Sequence, residues 1–221
     1  MALATYFWGA YAAYDFDVVP PRDDDVIVDC MVRAVMGTLP ARSSALVTAV
    51  DGNTYRVAAG TEFLAFDIFG QWAAHLLAQW WQDALLVAVP YLNQTEFGRS
   101  SSRLRLADAA ASHMPRELNI SVAPILAFKA PIPLASSHDQ IAIQSELTCA
   151  VQTLTGRIVI LVIDICTSGA DLIACAHFLR NLGAEVGLAL CLAKSVQLQH
   201  ASPLQVAPED IESQLSFLSH V

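Results

Sequence analysis

Apolar and polar positions follow two regimes along the chain. Before residue 60 the apolar runs are short and broken by turn residues. Pro20, Pro21, Arg22 and the triplet Asp23, Asp24 and Asp25 precede an apolar stretch over residues 26–36, which Gly37 ends. Carboxylates at the start and a glycine at the stop predict a helix there, with the triplet as its solvated first turn rather than a metal site. Apolar segments 45–50 and 54–58 flank Asp51, Gly52 and Asn53, which predicts a β-hairpin.

From Glu62 onward, long helical patterns alternate with short, fully apolar runs. Helices are predicted over residues 71–82, 104–113, 141–151 and 170–182, and strands over 85–89, 120–128, 158–163 and 186–193. Continuous apolar strands separated by helices imply parallel strands buried on both faces. The fold class is therefore α/β, a doubly wound and mainly parallel sheet with an N-terminal helix and hairpin extension. Residues 1–60 form that extension or hood, and residues 61–221 form the core, closed by an amphipathic helix over 208–221 with Pro208 at its start. Trp72, Trp80 and Trp81 fall at helical spacing in an apolar segment and read as core rather than as a stacking pocket.

Composition narrows the function. Of 221 residues, 55% are hydrophobic and 15% charged, with 12 basic against 21 acidic side chains and a net charge of −9. A length of this order suits one domain with a sizeable core. The shortage of cations argues against nucleic acid as a partner. Any bound anion must be held by backbone amides, a metal ion or very few side chains. The five cysteines show no CxxC spacing and read as reduced thiols, with no zinc site. The apolar N-terminus lacks a basic leader region, and no run reaches the ~18 apolar residues of a membrane span. A cytoplasmic protein without membrane contact is expected, and a homodimer is open. The aromatic cluster Tyr6, Phe7, Trp8, Tyr11 and Tyr14 is expected either to pack over the sheet or to form a dimer contact.

In an open parallel sheet, ligands bind beyond the carboxyl ends of strands, against helix N-termini. The chemistry-bearing segment is the turn after strand 158–163: Asp164, Ile165, Cys166, Thr167, Ser168, Gly169, Ala170 and Asp171. A carboxylate there suits ribose hydroxyls or a metal, hydroxyls suit a phosphate, and glycine permits close backbone approach. Pairing of Cys166 with His177 as nucleophile and base lacks an elbow motif, and His138 with Asp139 lacks a third metal ligand. Both are set aside, and no metal residues are assigned.

Residues 158–195 resemble the signature of type I phosphoribosyltransferases: an apolar strand, an acidic residue, a Thr-Ser-Gly phosphate loop, then a helix ending in a Gly183-Ala184 turn. Residues 62–195 are similar to the layout of the ComF competence-protein family, without its N-terminal zinc ribbon. The resemblance implies transfer of phosphoribose from phosphoribosyl pyrophosphate, with magnesium arriving as part of that diphosphate substrate. It implies that Asp164 holds the ribose hydroxyls and is the catalytic residue. Thr167, Ser168, Gly169 and Ala170 would cradle the 5-phosphate beside Asp171. The amides after Pro90, with Arg99 and Lys129, would meet the pyrophosphate. Arg103 and Arg105 read as solvated helix residues.

Three positions depart from that pattern. Ile163 stands where a first acidic residue is expected, Asp171 stands where a Thr or Ser would meet the phosphate, and Asp67 stands in place of a Lys. Each removes a ribose contact or adds negative charge around the phosphate path. Three readings stay open: a diverged transferase, a catalytically silent descendant binding a sugar phosphate or nucleotide as a regulatory or assembly partner, and an enzyme with a different donor.

Overall fold

The computed structural model describes residues 3–12, 23–78 and 83–196. The expected helix at 208–221 lies outside the described residues, as do Trp80, Trp81 and Tyr14. The described chain runs β1 (Ala4–Ala12), α1 (Asp23–Met36), β2 (Ser44–Thr48), β3 (Thr54–Ala58), α2 (Phe63–Leu77), β4 (Asp83–Ala88), α3 (Ser102–Ser112) and β5 (Asn119–Val122). It continues through β6 (Leu126–Phe128), α4 (Gln140–Glu146), β7 (Leu147–Cys149), β8 (Ile158–Cys166), α5 (Ala170–Asn181) and β9 (Glu185–Val196). No described helix is long and apolar enough to cross a membrane.

Five strands form one sheet in the order β1-β9-β8-β4-β5, and every neighbouring pair is parallel. Alternation along β8 divides the core. Ile160 and Val162 join one apolar cluster with α1, α2, α3 and the β2-β3 hairpin, while Val159, Leu161 and Ile163 join a second with α4, α5, β6 and β7. Helices on both faces explain why these strands are apolar throughout. The doubly wound α/β class read from periodicity is the observed one.

Four elements differ from the pattern, one of them the helix predicted over 141–151, which ends at Glu146 and gives way to strand β7 (Leu147–Cys149). The aromatic N-terminal run does not lie over the sheet; residues 4–12 enter the main sheet as its edge strand β1, beside β9. Helix α2 begins at Phe63, eight residues before the predicted start. The predicted strand 120–128 splits around Ala123, Pro124 and Ile125, because proline supplies no ladder donor. Its first half stays in the main sheet as β5, and its second half leaves as β6 to pair antiparallel with β7.

Helices α2 and α3 approach closely at Gly70, where an added Cβ would stand 2.6 Å from the Ala109 carbonyl oxygen. Alanine in a helix interior normally gains about 1 kcal/mol over glycine. Here the overlap is with backbone, and overpacking costs about 1–3 kcal/mol. Gly70→Ala is therefore expected to lower Tm by roughly 5 °C for a domain of this size; a raised Tm in thermal unfolding would refute the close approach.

Candidate functional site

The connection from β4 through α3 to β5 covers one face of the sheet, and that from β8 through α5 to β9 covers the other. Strands β4 and β8 are neighbours, so the winding reverses between them. This is the crevice where an open α/β sheet receives ligands. Asp164 lies at its floor, 2% exposed, and is surrounded by the protein's own donors. Arg103 Nε donates to Oδ1 at 2.7 Å, and the Ile165 amide donates to the same oxygen at 2.8 Å. Oδ2 takes the Ser102 hydroxyl at 3.1 Å and the Tyr91 hydroxyl, which also touch each other. A carboxylate offers about four acceptor positions, and all four are occupied.

Arg103 is the hub of this cluster. Its Nη1 donates to the carbonyls of Val89 (3.3 Å) and Pro90 (3.1 Å) and lies 3.6 Å from Asp171 Oδ2, while the guanidinium stacks on the Tyr91 ring at 4.2 Å. The expectation of a solvated Arg103 is overturned: the residue is 8% exposed. A signal for this was present, because Arg103 is in helical phase with Leu106, Ala107 and Ala110, all buried on α3. Arg105 is exposed as expected and lies over the Phe66 ring.

Charge balance in this crevice sets the protonation states. Burial alone would push the Asp164 carboxyl up, but the Arg103 charge, the Tyr91 hydroxyl and the Ile165 amide outweigh it and hold the group below its ordinary value of 3.8. Burial and the Asp164 charge push the Tyr91 phenol up to about 12. For Arg103, burial works against the charge, yet Asp164 and Asp171 together raise its pKa. Tyr91 and Arg103 were not among the expected site residues.

The phosphate-loop candidates take a different position. Gly169 adopts φ 75°, a left-handed conformation that glycine reaches without strain, and caps α5. Thr167 and Ser168 are exposed and line a cavity of about 370 Å³ with His138 and Ser195. The Ser168 hydroxyl accepts from the Ala170 amide at 3.3 Å. Asp171 does not point at this space as a phosphate-repelling group. Its Oδ1 accepts from the Leu172 amide at 2.9 Å, and its Oδ2 turns to Arg103. In sequence, His138 stands out only with Asp139, as a metal pair lacking a third ligand, and Ser195 carries no motif of its own.

The other expected positions separate. Ile163 is fully buried in the α5-side cluster, so its place in the pattern faces core rather than ligand. Asp67 does not stand on the phosphate path: it accepts from Gln71 at 3.1 Å and bonds His113 Nε2 at 2.8 Å, beyond the far end of α3. Lys129 donates to the Ser145 carbonyl at 2.7 Å, at the end of α4. Arg99 is exposed in the loop after β4 and makes no hydrogen bond or ion pair with a described residue. Pro90 is buried, and the loop after it is tied down by Ile132 donating to Leu92 and Phe128 donating to Gln94. The Cys166 thiol is lowered by a hydrogen bond with Cys191, while His177 bonds Gln140 and makes no pair with Cys166. Among the described residues no three His, Cys, Asp or Glu side chains group to hold a metal.

No family model matches the sequence. No curated protein matches it either.

Removing one partner of a buried ion pair strands the other charge and costs about 3–5 kcal/mol. Asp164→Asn and Arg103→Met are each expected to destabilise by that order in urea unfolding. The double variant should lose clearly less than the sum of the two. The depressed Asp164 carboxyl stabilises the fold above its ordinary value of 3.8 and loses that contribution as pH falls through its lower folded value. Wild-type stability should thus drop more steeply below about pH 4 than that of Asp164→Asn; parallel acid profiles would refute the pair's role.

Proposed function

We propose that this chain is a phosphoribosyltransferase-like protein that binds a sugar phosphate or nucleotide at residues 167–170. It does not transfer phosphoribose and acts as a regulatory or assembly partner. The observation that carries this reading is the saturation of Asp164. Its four acceptor positions are filled by Arg103, Ile165, Tyr91 and Ser102. A ribose hydroxyl would have to displace one of them and break into a buried ion pair.

The binding half of the reading rests on the loop. Two hydroxyls, from Thr167 and Ser168, face a cavity of about 370 Å³ at the opening of a twelve-residue helix. Small-ligand sites fall in the range of about 300–1,000 Å³, and helix N-termini favour anions. Loss of the Asp164 contact removes the positioning on which transfer of the sugar depends, while leaving the phosphate cradle in place.

Calorimetry separates the outcomes. Ribose 5-phosphate and 2-deoxyribose 5-phosphate are expected to bind with Kd values within about twofold of each other, because no carboxylate reaches the sugar hydroxyls. A preference of about tenfold or more for ribose, roughly 1.4 kcal/mol, would place Asp164 on the sugar and restore the transferase reading. Phosphoribosyl pyrophosphate with magnesium should bind no more tightly than ribose 5-phosphate. Absence of heat with every one of these at millimolar concentration would sink the phosphate-binding reading itself.

A further inference from the structure

A strand at the edge of a sheet leaves a row of amides and carbonyls unpaired, and a further strand can add there. The order β1-β9-β8-β4-β5 makes β1 and β5 the edges of the main sheet. β5 is blunted: it is four residues long, follows Arg116 and Glu117, and lies between Pro115 and Pro124. Short length, charge and proline are the devices that keep an edge from pairing. β1 has none of them. It runs nine residues, Ala4–Ala12, without a charged residue or a proline, and holds one register against β9 along its whole length. Among the described residues no backbone group beyond β9 bonds to it.

The two faces of β1 are taken by the chain itself. Ala4, Tyr6 and Trp8 pack against the cluster that contains α1, while Phe7 and the preceding Leu3 pack against the one that contains α5. Helix α1 lies so close that a Cβ on Gly9 would stand 2.6 Å from Val28 Cγ2. On the Phe7 ring lies Lys194, 5.7 Å from its centre. What the strand leaves open is its main chain, and what fits a row of main-chain donors and acceptors is another strand.

Charge and symmetry select the partner. A foreign strand gains specificity from pockets for its alternate side chains, and the faces flanking this edge are filled by the chain's own residues. A second copy needs no such pockets, because an antiparallel strand turned about a two-fold axis presents the complement of its own donors and acceptors. The chain carries a net charge of −9, so two copies repel across most orientations. At β1 they meet along nine uncharged residues, and no like charges stand opposite each other across the strands. We propose that β1 is the contact of a homodimer, in which the β1 strands of two copies pair antiparallel and join their sheets into one of ten strands. This surface is separate from the Asp164 crevice and does not depend on what that crevice or its neighbouring cavity binds.

Sedimentation velocity and hydrogen exchange on the full chain test the proposal together. Between about 1 and 100 µM the wild type is expected to pass from monomer to dimer, and exchange over residues 3–12 is expected to slow across the same range. Thr5 belongs to neither apolar cluster, and Thr5→Lys, a charge placed on the edge, should weaken the dimer by about tenfold or more. Ser121→Lys, on the exposed side of β5, should leave it unchanged. A wild-type monomer at about 100 µM would overturn the dimer. A dimer whose exchange over residues 3–12 does not vary with concentration, or one weakened equally by both lysines, would place the contact elsewhere and overturn the assignment to β1. Slow exchange there at every concentration would mean that the chain covers its own edge, which overturns it too. Exchange is read on the wild type, so the test stands even if Thr5→Lys fails to fold.

Discussion

The ion pair between Arg103 and Asp164 is the constraint on which the carboxyl edge of the sheet depends. A carboxylate at the end of a central parallel strand is surrounded by apolar strands, and desolvating it costs several kcal/mol unless it is paired and hydrogen-bonded. This chain meets the requirement from within. Arg103 comes from the first turn of α3, Tyr91 from the loop after β4, and Ile165 from β8 itself. Through Nη1 the same guanidinium bonds the carbonyls of Val89 and Pro90. One side chain thus joins the two connections that leave the sheet in opposite directions, and the crevice between them is closed by protein.

That closure changes the meaning of the low basic count. The three departures in the sequence suggest a lost ribose contact and repulsion spread along a phosphate path. In the folded chain they divide by place. Asp67 bonds His113 beyond the far end of α3, Ile163 belongs to the core, and Asp171 is a second counter-ion for Arg103. The charge around the crevice is compensated locally, and the loop next to it presents hydroxyls and an imidazole instead of fixed charges.

Periodicity makes most of this architecture legible, because parallel strands covered on both faces are apolar at every position and cannot be confused with solvent-facing ones. It fails where tertiary pairing decides. Residues 4–12 carry no local sign of which strand they join, and β1 exists in this sheet through its register with β9. Pro124 divides one apolar run into two sheets, which no hydrophobic pattern encodes. The loop at 167–170 was readable from residue types, since glycine and hydroxyls at a strand-to-helix turn have few other uses. The partners of Asp164 were not, apart from the phase of Arg103 on α3, because Tyr91 and Ser102 reach it across 73 and 62 residues of chain.

Two adjacent compartments therefore occupy the carboxyl edge, with opposite relations to a ligand. Cations gathered in an empty anion site repel one another, and relief of that repulsion is part of what lets such a site bind its anion tightly. In this chain the buried cation already has two carboxylates. The fold is thus electrostatically complete before any ligand arrives. Occupancy of the neighbouring hydroxyl-lined cavity would stabilise the protein by RT ln(1 + [L]/Kd) with no such repulsion to relieve, and would leave the Arg103–Asp164 lock closed. A ligand there would meet the segment before α4 and the loop before α5, and the sheet would need no rearrangement to receive it.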